Sequence, residues 1–190
     1  YSKDKVDSSN AALKESALSL EYKSMAPGQA VGATRIFDTD VKDLTSYKTL
    51  KMEIHYETDA PTVPVRFALQ FGEGSLDGST DYYEWSFKPV NMEKCTDRQQ
   101  DCHERNWLAN AFEMALSDFS DLKKGRHPPY LNPVEVDLGG DREEKIKLVG
   151  NPSTTSVDWV RFVIIADSSA SPADLKGTFW VDDLRLSGMD

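Results

Sequence analysis

The chain has 190 residues, 39% hydrophobic and 10% aromatic, with a formal net charge of -10 and a pI near 4.8. That length suits one domain whose interior is large enough to be stable without staples, and the acidity sets phosphate backbones and anionic membrane surfaces against it, so no nucleic-acid partner is expected. The longest apolar stretch, residues 160–166, broken only by Arg161, is strand-sized and far short of the ~18 residues of a spanning helix, so no membrane span is expected in this segment.

Residues 1–15 are charged and serine-rich and are expected to form a loose N-terminal lead-in. Residues 16–190 then read as a single domain. Residues 16–22 alternate Leu18 and Leu20 with small or polar residues, and residues 30–37 follow as a second strand. Residues 47–57 give the clearest strand, with Leu50, Met52, Ile54 and Tyr56 on one face. On that phase His55 points away from the core and is expected to be solvated rather than a base. Residues 65–71 place Val65, Phe67, Leu69 and Phe71 inward, and the glycine-rich loop at 72–80 lacks the lysine and the strand-to-helix setting of a phosphate cradle. Residues 81–89 resume the sheet with Tyr83, Trp85 and Phe87 on one face and Tyr82, Glu84 and Ser86 on the other. Residues 106–120 are the only helix-like passage, yet they read equally as a turn and a short strand. Strands at 134–138, 145–149 and 157–166 lead to a last strand at 178–188, in which Leu184 and Leu186 are expected to pack inward.

At least eight short strands and almost no helix add up to an all-β fold, a jelly-roll β-sandwich of galactose-binding-like type with two antiparallel sheets. In the last strand Asp182 and Asp183 are adjacent, so only one can face inward; the phase of Val181 against Leu184 conflicts and predicts a bulge there. The inward carboxylate needs a partner. One expectation is a structural calcium completed by backbone carbonyls and Glu15; the other is Arg185 with neighbouring backbone amides. Cys95 and Cys102, the only cysteines, are separated by six residues in a polar loop. They are expected to form a disulfide, which would place the chain in an oxidising, extracytoplasmic compartment. Two free thiols are the alternative, and a metal site lacks a fourth ligand.

No Gly-x-Ser-x-Gly elbow, His-Glu-x-x-His helix or dinucleotide fingerprint occurs, so no enzyme is expected. A carbohydrate-binding module is the rival of a different class, with Tyr82, Tyr83, Trp85 and Trp107 as candidate stacking residues for a polysaccharide.

Four stretches together point further: Tyr47-Lys-Thr-Leu-Lys-Met-Glu-Ile-His55, Asp81-Tyr-Tyr-Glu-Trp85, Lys147-Leu-Val-Gly-Asn-Pro-Ser153 and Trp180-Val-Asp-Asp-Leu-Arg-Leu186. In this order, over residues 18–186, they resemble the repeated soluble domain of the SprA family. Its members are very large outer-membrane proteins of gliding bacteria that form the translocon of the type 9 secretion system. The resemblance implies a non-enzymatic, extracytoplasmic structural domain of a bacterial secretion or cell-surface protein, with other domains of a longer parent chain or other surface proteins as partners. It supplies no catalytic residues. The start at Tyr1 without Met agrees with the expectation of a piece of a longer protein.

Overall fold

Alternation at period two becomes two facing antiparallel sheets. The computed structural model describes residues 4–6, 12–14, 17–37, 42–74, 81–91, 100–125 and 133–189. Strands β1 (Asp4–Val6) and β2 (Ala12–Lys14) pair as a small hairpin, so the expected lead-in carries structure of its own. The sandwich proper uses β3 (Leu18–Lys23), β4 (Ala30–Ile36), β5 (Tyr47–Glu57), β6 (Val65–Gly72) and β7 (Tyr82–Phe87). After helix α1 (Gln100–Asn110) come β8 (Phe112–Ala115), helix α2 (Leu116–Lys124), β9 (Val134–Gly139), β10 (Glu144–Val149), β11 (Trp159–Ala166) and β12 (Lys176–Met189).

One sheet runs β4-β11-β6-β7-β10-β9 and the other β3-β12-β5-β8. The chain crosses from sheet to sheet between β3 and β6, stays for the β6–β7 hairpin, crosses again to β8, and returns at the end to lay β12 between β3 and β5. Without the β9–β10 hairpin added at one edge, this is the double Greek-key wrapping of a jelly roll.

The core lies between the sheets. Leu50, Met52, Ile54 and Tyr56 of β5 face Val65, Phe67, Leu69 and Phe71 of β6, all buried, as the alternation requires. Each such side chain contributes about 1.5–3 kcal/mol relative to exposure. Helix α2 closes one end: its Phe119 is fully buried and meets Phe71 edge-on at 5.1 Å and Tyr83 at 5.1 Å.

Helix α1 lies instead on the outer face of the four-stranded sheet, against β5. Buried Asn110 at its C-terminal end clamps it to the segment after β7. The Nδ2 of Asn110 donates to the Val90 carbonyl at 3.0 Å, and the Val90 N–H donates to its Oδ1 at 2.8 Å. This helix corrects the expectation for His55. The ring does point away from the inter-sheet core, but α1 covers it. It is 4% exposed, its ring centroid is 5.7 Å from Trp107 and 5.0 Å from Trp180, and its Nε2 lies 2.8 Å from Glu57 Oε1.

Candidate functional site

The last strand organises the candidate site. Asp182 pairs with Glu53 and Arg185 with Lys51, so Asp183 and Leu184 together oppose Met52 alone. This is a β-bulge, with Asp183 at φ 52. Before it Phe179 and Val181 are buried; after it Leu186 packs against the core while Leu184 is left 39% exposed. The expected inward leucine face is therefore half right, because the extra residue re-aims Leu184.

The bulge is also where β3 stops. Val181 pairs with Leu18, the first residue of β3, whereas the pairing of β12 with β5 continues to Met189. Past that point the sandwich opens into two adjoining clefts. One, about 240 Å³, reaches the core between Leu50, Leu69, Phe71 and Val157 and has Lys42 and Arg185 among its lining residues. The other, about 600 Å³, lies between Ala33, Thr34 and Arg35 of β4 and the Asp182 to Leu184 turn of β12. Phe37, Val160 and Leu184 line both. The Lys42 ammonium stands 5.7 Å from the centroid of the Phe37 ring and the Arg35 guanidinium 6.0 Å from it, within reach of cation–π attraction.

Of the two partners expected for the aspartates, the structure contains the second. Arg185 Nη1 lies 2.7 Å from Asp183 Oδ2, and the Asp183 N–H donates to Asp182 Oδ1 at 2.8 Å. With Arg185 more than half exposed, the ion pair contributes about 0–1 kcal/mol. Glu15 lies outside the described residues, and among the described residues no group of three acidic, histidine or cysteine side chains converges as a metal site would require. Melting the protein with and without EGTA checks the calcium expectation. An unchanged midpoint is expected; a drop on chelation, reversed by calcium, would restore the ion, since a ligand at a hundredfold excess over Kd adds about 2.7 kcal/mol.

The four aromatics proposed as a sugar platform are dispersed. Tyr83 and Trp85 face the core, and Trp85 stacks on Phe112 of β8 at 4.0 Å and 14°. The Tyr83 hydroxyl donates to the Pro152 carbonyl at 3.1 Å. Trp107 is 4% exposed, turned into the contact with His55. Tyr82, half-buried on the opposite face, leans 6.3 Å from Trp159 across Gly72. Gly72 makes room for that pair, since a Cβ there would come within 2.9 Å of the Trp159 ring. Three of the four are thus packing residues, and Tyr82 is left without the other three beside it.

Cys102 sits on α1; Cys95, the chain's other cysteine, lies outside the described residues. Pairing between them is expected to show as an intact mass lower than that of the reduced chain by a pair of hydrogens. Free-thiol labelling before reduction would contradict it. The clefts were not foreseen from the sequence at all, because their walls come from separate strands and from Lys42, whose contact with Val157 is a single isolated bridge.

The sequence matches the SprA_N family, described as a motility related/secretion protein, over residues 2–190. The chain belongs to the SprA_N family. The match spans the hairpin, both sheets and both helices. No curated protein gives a match. Membership in SprA_N ties the sandwich to motility or secretion in general terms. Among the described residues no helix is long and apolar enough to cross a membrane, which says nothing of strands that cross as a barrel.

Proposed function

We propose that the chain is a non-enzymatic, extracytoplasmic structural or interaction domain of a larger SprA-like secretion or cell-surface protein. The observation that carries this reading is the family match over residues 2–190. Two features of the molecule support it. The two cysteines, Cys95 and Cys102, would suit an oxidising compartment outside the cytoplasm if paired as expected. The open side of the sandwich offers an apolar, partly cationic surface suited to a neighbour in an assembly.

The same reading leaves little for a glycan to stack on, with Tyr83, Trp85 and Trp107 all packed inside. Affinity electrophoresis against cellulose, xylan and β-glucan is expected to show no retention tighter than about millimolar. Micromolar retention lost in Tyr82→Ala would transfer the assignment to a carbohydrate-binding module. For the compartment, protease treatment of intact and osmotically opened cells carrying the tagged parent protein is expected to cleave the domain without rupture of the inner membrane. Protection until that membrane is breached would overturn the extracytoplasmic placement.

A further inference from the structure

We propose that helix α1 is a hinged lid, which lifts off the outer face of the four-stranded sheet and unwinds while the sandwich beneath it stays folded. The opening uncovers the His55–Glu57 pair and the rings of Trp107 and Trp180.

The latch is small. In the sequence of α1, residues 100–110, Trp107 and Leu108 are the only large apolar side chains, and Leu108 is turned to solvent at 71% exposure. Apolar burial, the main force that could hold the helix down, therefore falls on Trp107. Docking also carries a cost, because the buried Trp107 Nε1 finds no acceptor among the described residues. Glu104 and Arg105 are exposed, and ion pairs at exposed positions add little.

The floor under the lid suits water. Alternation puts Lys51, Glu53, His55 and Glu57 on the outer face of β5, opposite in phase to the buried Leu50, Met52, Ile54 and Tyr56. Lifting α1 thus bares charged and hydrogen-bonding groups rather than the inter-sheet core. His55 keeps its contact with Glu57 at 2.8 Å throughout, since both stand on the same strand.

The hinge, by contrast, is firm. Asn110 is fully buried and exchanges two hydrogen bonds with Val90. Immediately after it, Arg142 Nη1 donates to the Ala111 carbonyl at 3.0 Å, and Phe112 stacks on Trp85. The chain is pinned from Asn110 onward, while Trp107 lies within one turn before that point. An 11-residue helix freed from its sheet is too short to persist in water, so the lifted lid unwinds and its amides exchange.

Native-state hydrogen exchange on the full chain in low urea tests this. Amides of residues 104–109 are expected to exchange at least about a hundredfold faster than those of β6, with a weak urea dependence because the opening bares little surface. Carbethoxylation of His55, located by mass spectrometry, should follow the same opening. Trp107→Ala should speed both by about tenfold or more with the β6 amides still protected. Leu108→Ala, on the solvent side, should leave both within about twofold of the parent. Any of three results overturns the proposal. One is α1 and His55 reacting only with the urea dependence of β6, which would make the helix part of the global unit. Another is loss of the whole fold in Trp107→Ala. The third is an equal acceleration in Leu108→Ala, which would show that Trp107 is not the latch.

Discussion

Phe179→Ala is expected to remove about 3–5 kcal/mol of stability, the range for deleting a buried aromatic ring. The residue is fully buried on β12 and bridges the two sheets. Its ring centroid lies 4.4 Å from Tyr56 and 6.3 Å from Tyr22 in its own sheet, and 5.1 Å from Phe67 in the other. Replacing it leaves a void that neither sheet can close, because β12 is held between β3 and β5 by pairing on both sides at this level. Against a typical total of about 5–15 kcal/mol, that loss puts the variant near its unfolding threshold. Urea unfolding followed by tryptophan fluorescence measures it. A shift below about 1 kcal/mol would mean that the sheets collapse onto the gap. Leu184→Ala, on the same strand but beyond the bulge and partly exposed, is expected to cost far less.

The contrast between those two positions shows what the sequence made legible. The strands β5 and β6 could be located almost to the residue because large apolar side chains line only the face of each that meets the opposite sheet, which writes a period of two into the chain even though Ala68, Gln70 and His55 on the other faces are buried as well. The bulge was legible too, since Val181 and Leu184 stand three apart and cannot share a face of a regular strand. The burial of His55 was not, because strand phase reports only which residues face the opposite sheet; it is silent about a helix laid over the outer face. That helix was itself hard to see. Gln100, Asp101, Cys102, His103, Glu104, Arg105 and Asn106 form a polar run before Trp107, so α1 carries no apolar stripe to mark its start. Residues 106–120 read as helix or strand because they are both: the end of α1, the four residues of β8 and the start of α2.

The candidate site was the least legible part. Asp182 and Asp183 drew attention as ligands, whereas in the fold they mark the place where a strand loses a neighbour. The aromatic run at Tyr82, Tyr83 and Trp85 likewise looked like a surface platform. Alternation alone sends Tyr83 and Trp85 into the core and Tyr82 to the other face. A cleft walled by β4, β6, β11, β12 and Lys42 has no local signature, since its parts are distant in sequence and meet only when the sheets close.

Raising the pH through 10 is expected to destabilise the protein steeply. The hydroxyls of Tyr22 and Tyr56 meet at 2.8 Å in the core. Gly177 makes that approach possible, as a Cβ there would come within 2.8 Å of the Tyr22 hydroxyl. Burial pushes both phenols above their ordinary value of 10.0, and for Tyr56 the hydrogen bond with Tyr22 adds to the rise. Because the folded-state pKa is the higher one, the folded protein holds protons that the unfolded chain releases. The stabilising contribution is fully present below pH 10 and is lost as the pH climbs from 10 toward the folded value. For Tyr56 the slope is about 1.4 kcal/mol per pH unit above 10, and Tyr22 acts in the same direction. Tyr82, raised by burial and by the Glu84 carboxylate, adds to it from the outer face. Urea midpoints between pH 8 and 11 should fall only above pH 10. The slope should weaken in Tyr56→Phe, which also forfeits about 1 kcal/mol at neutral pH by leaving the Tyr22 hydroxyl without this partner. A flat profile to pH 11 in the parent protein, or an undiminished slope in Tyr56→Phe, would show that the buried pair is not what holds the sandwich neutral at its centre.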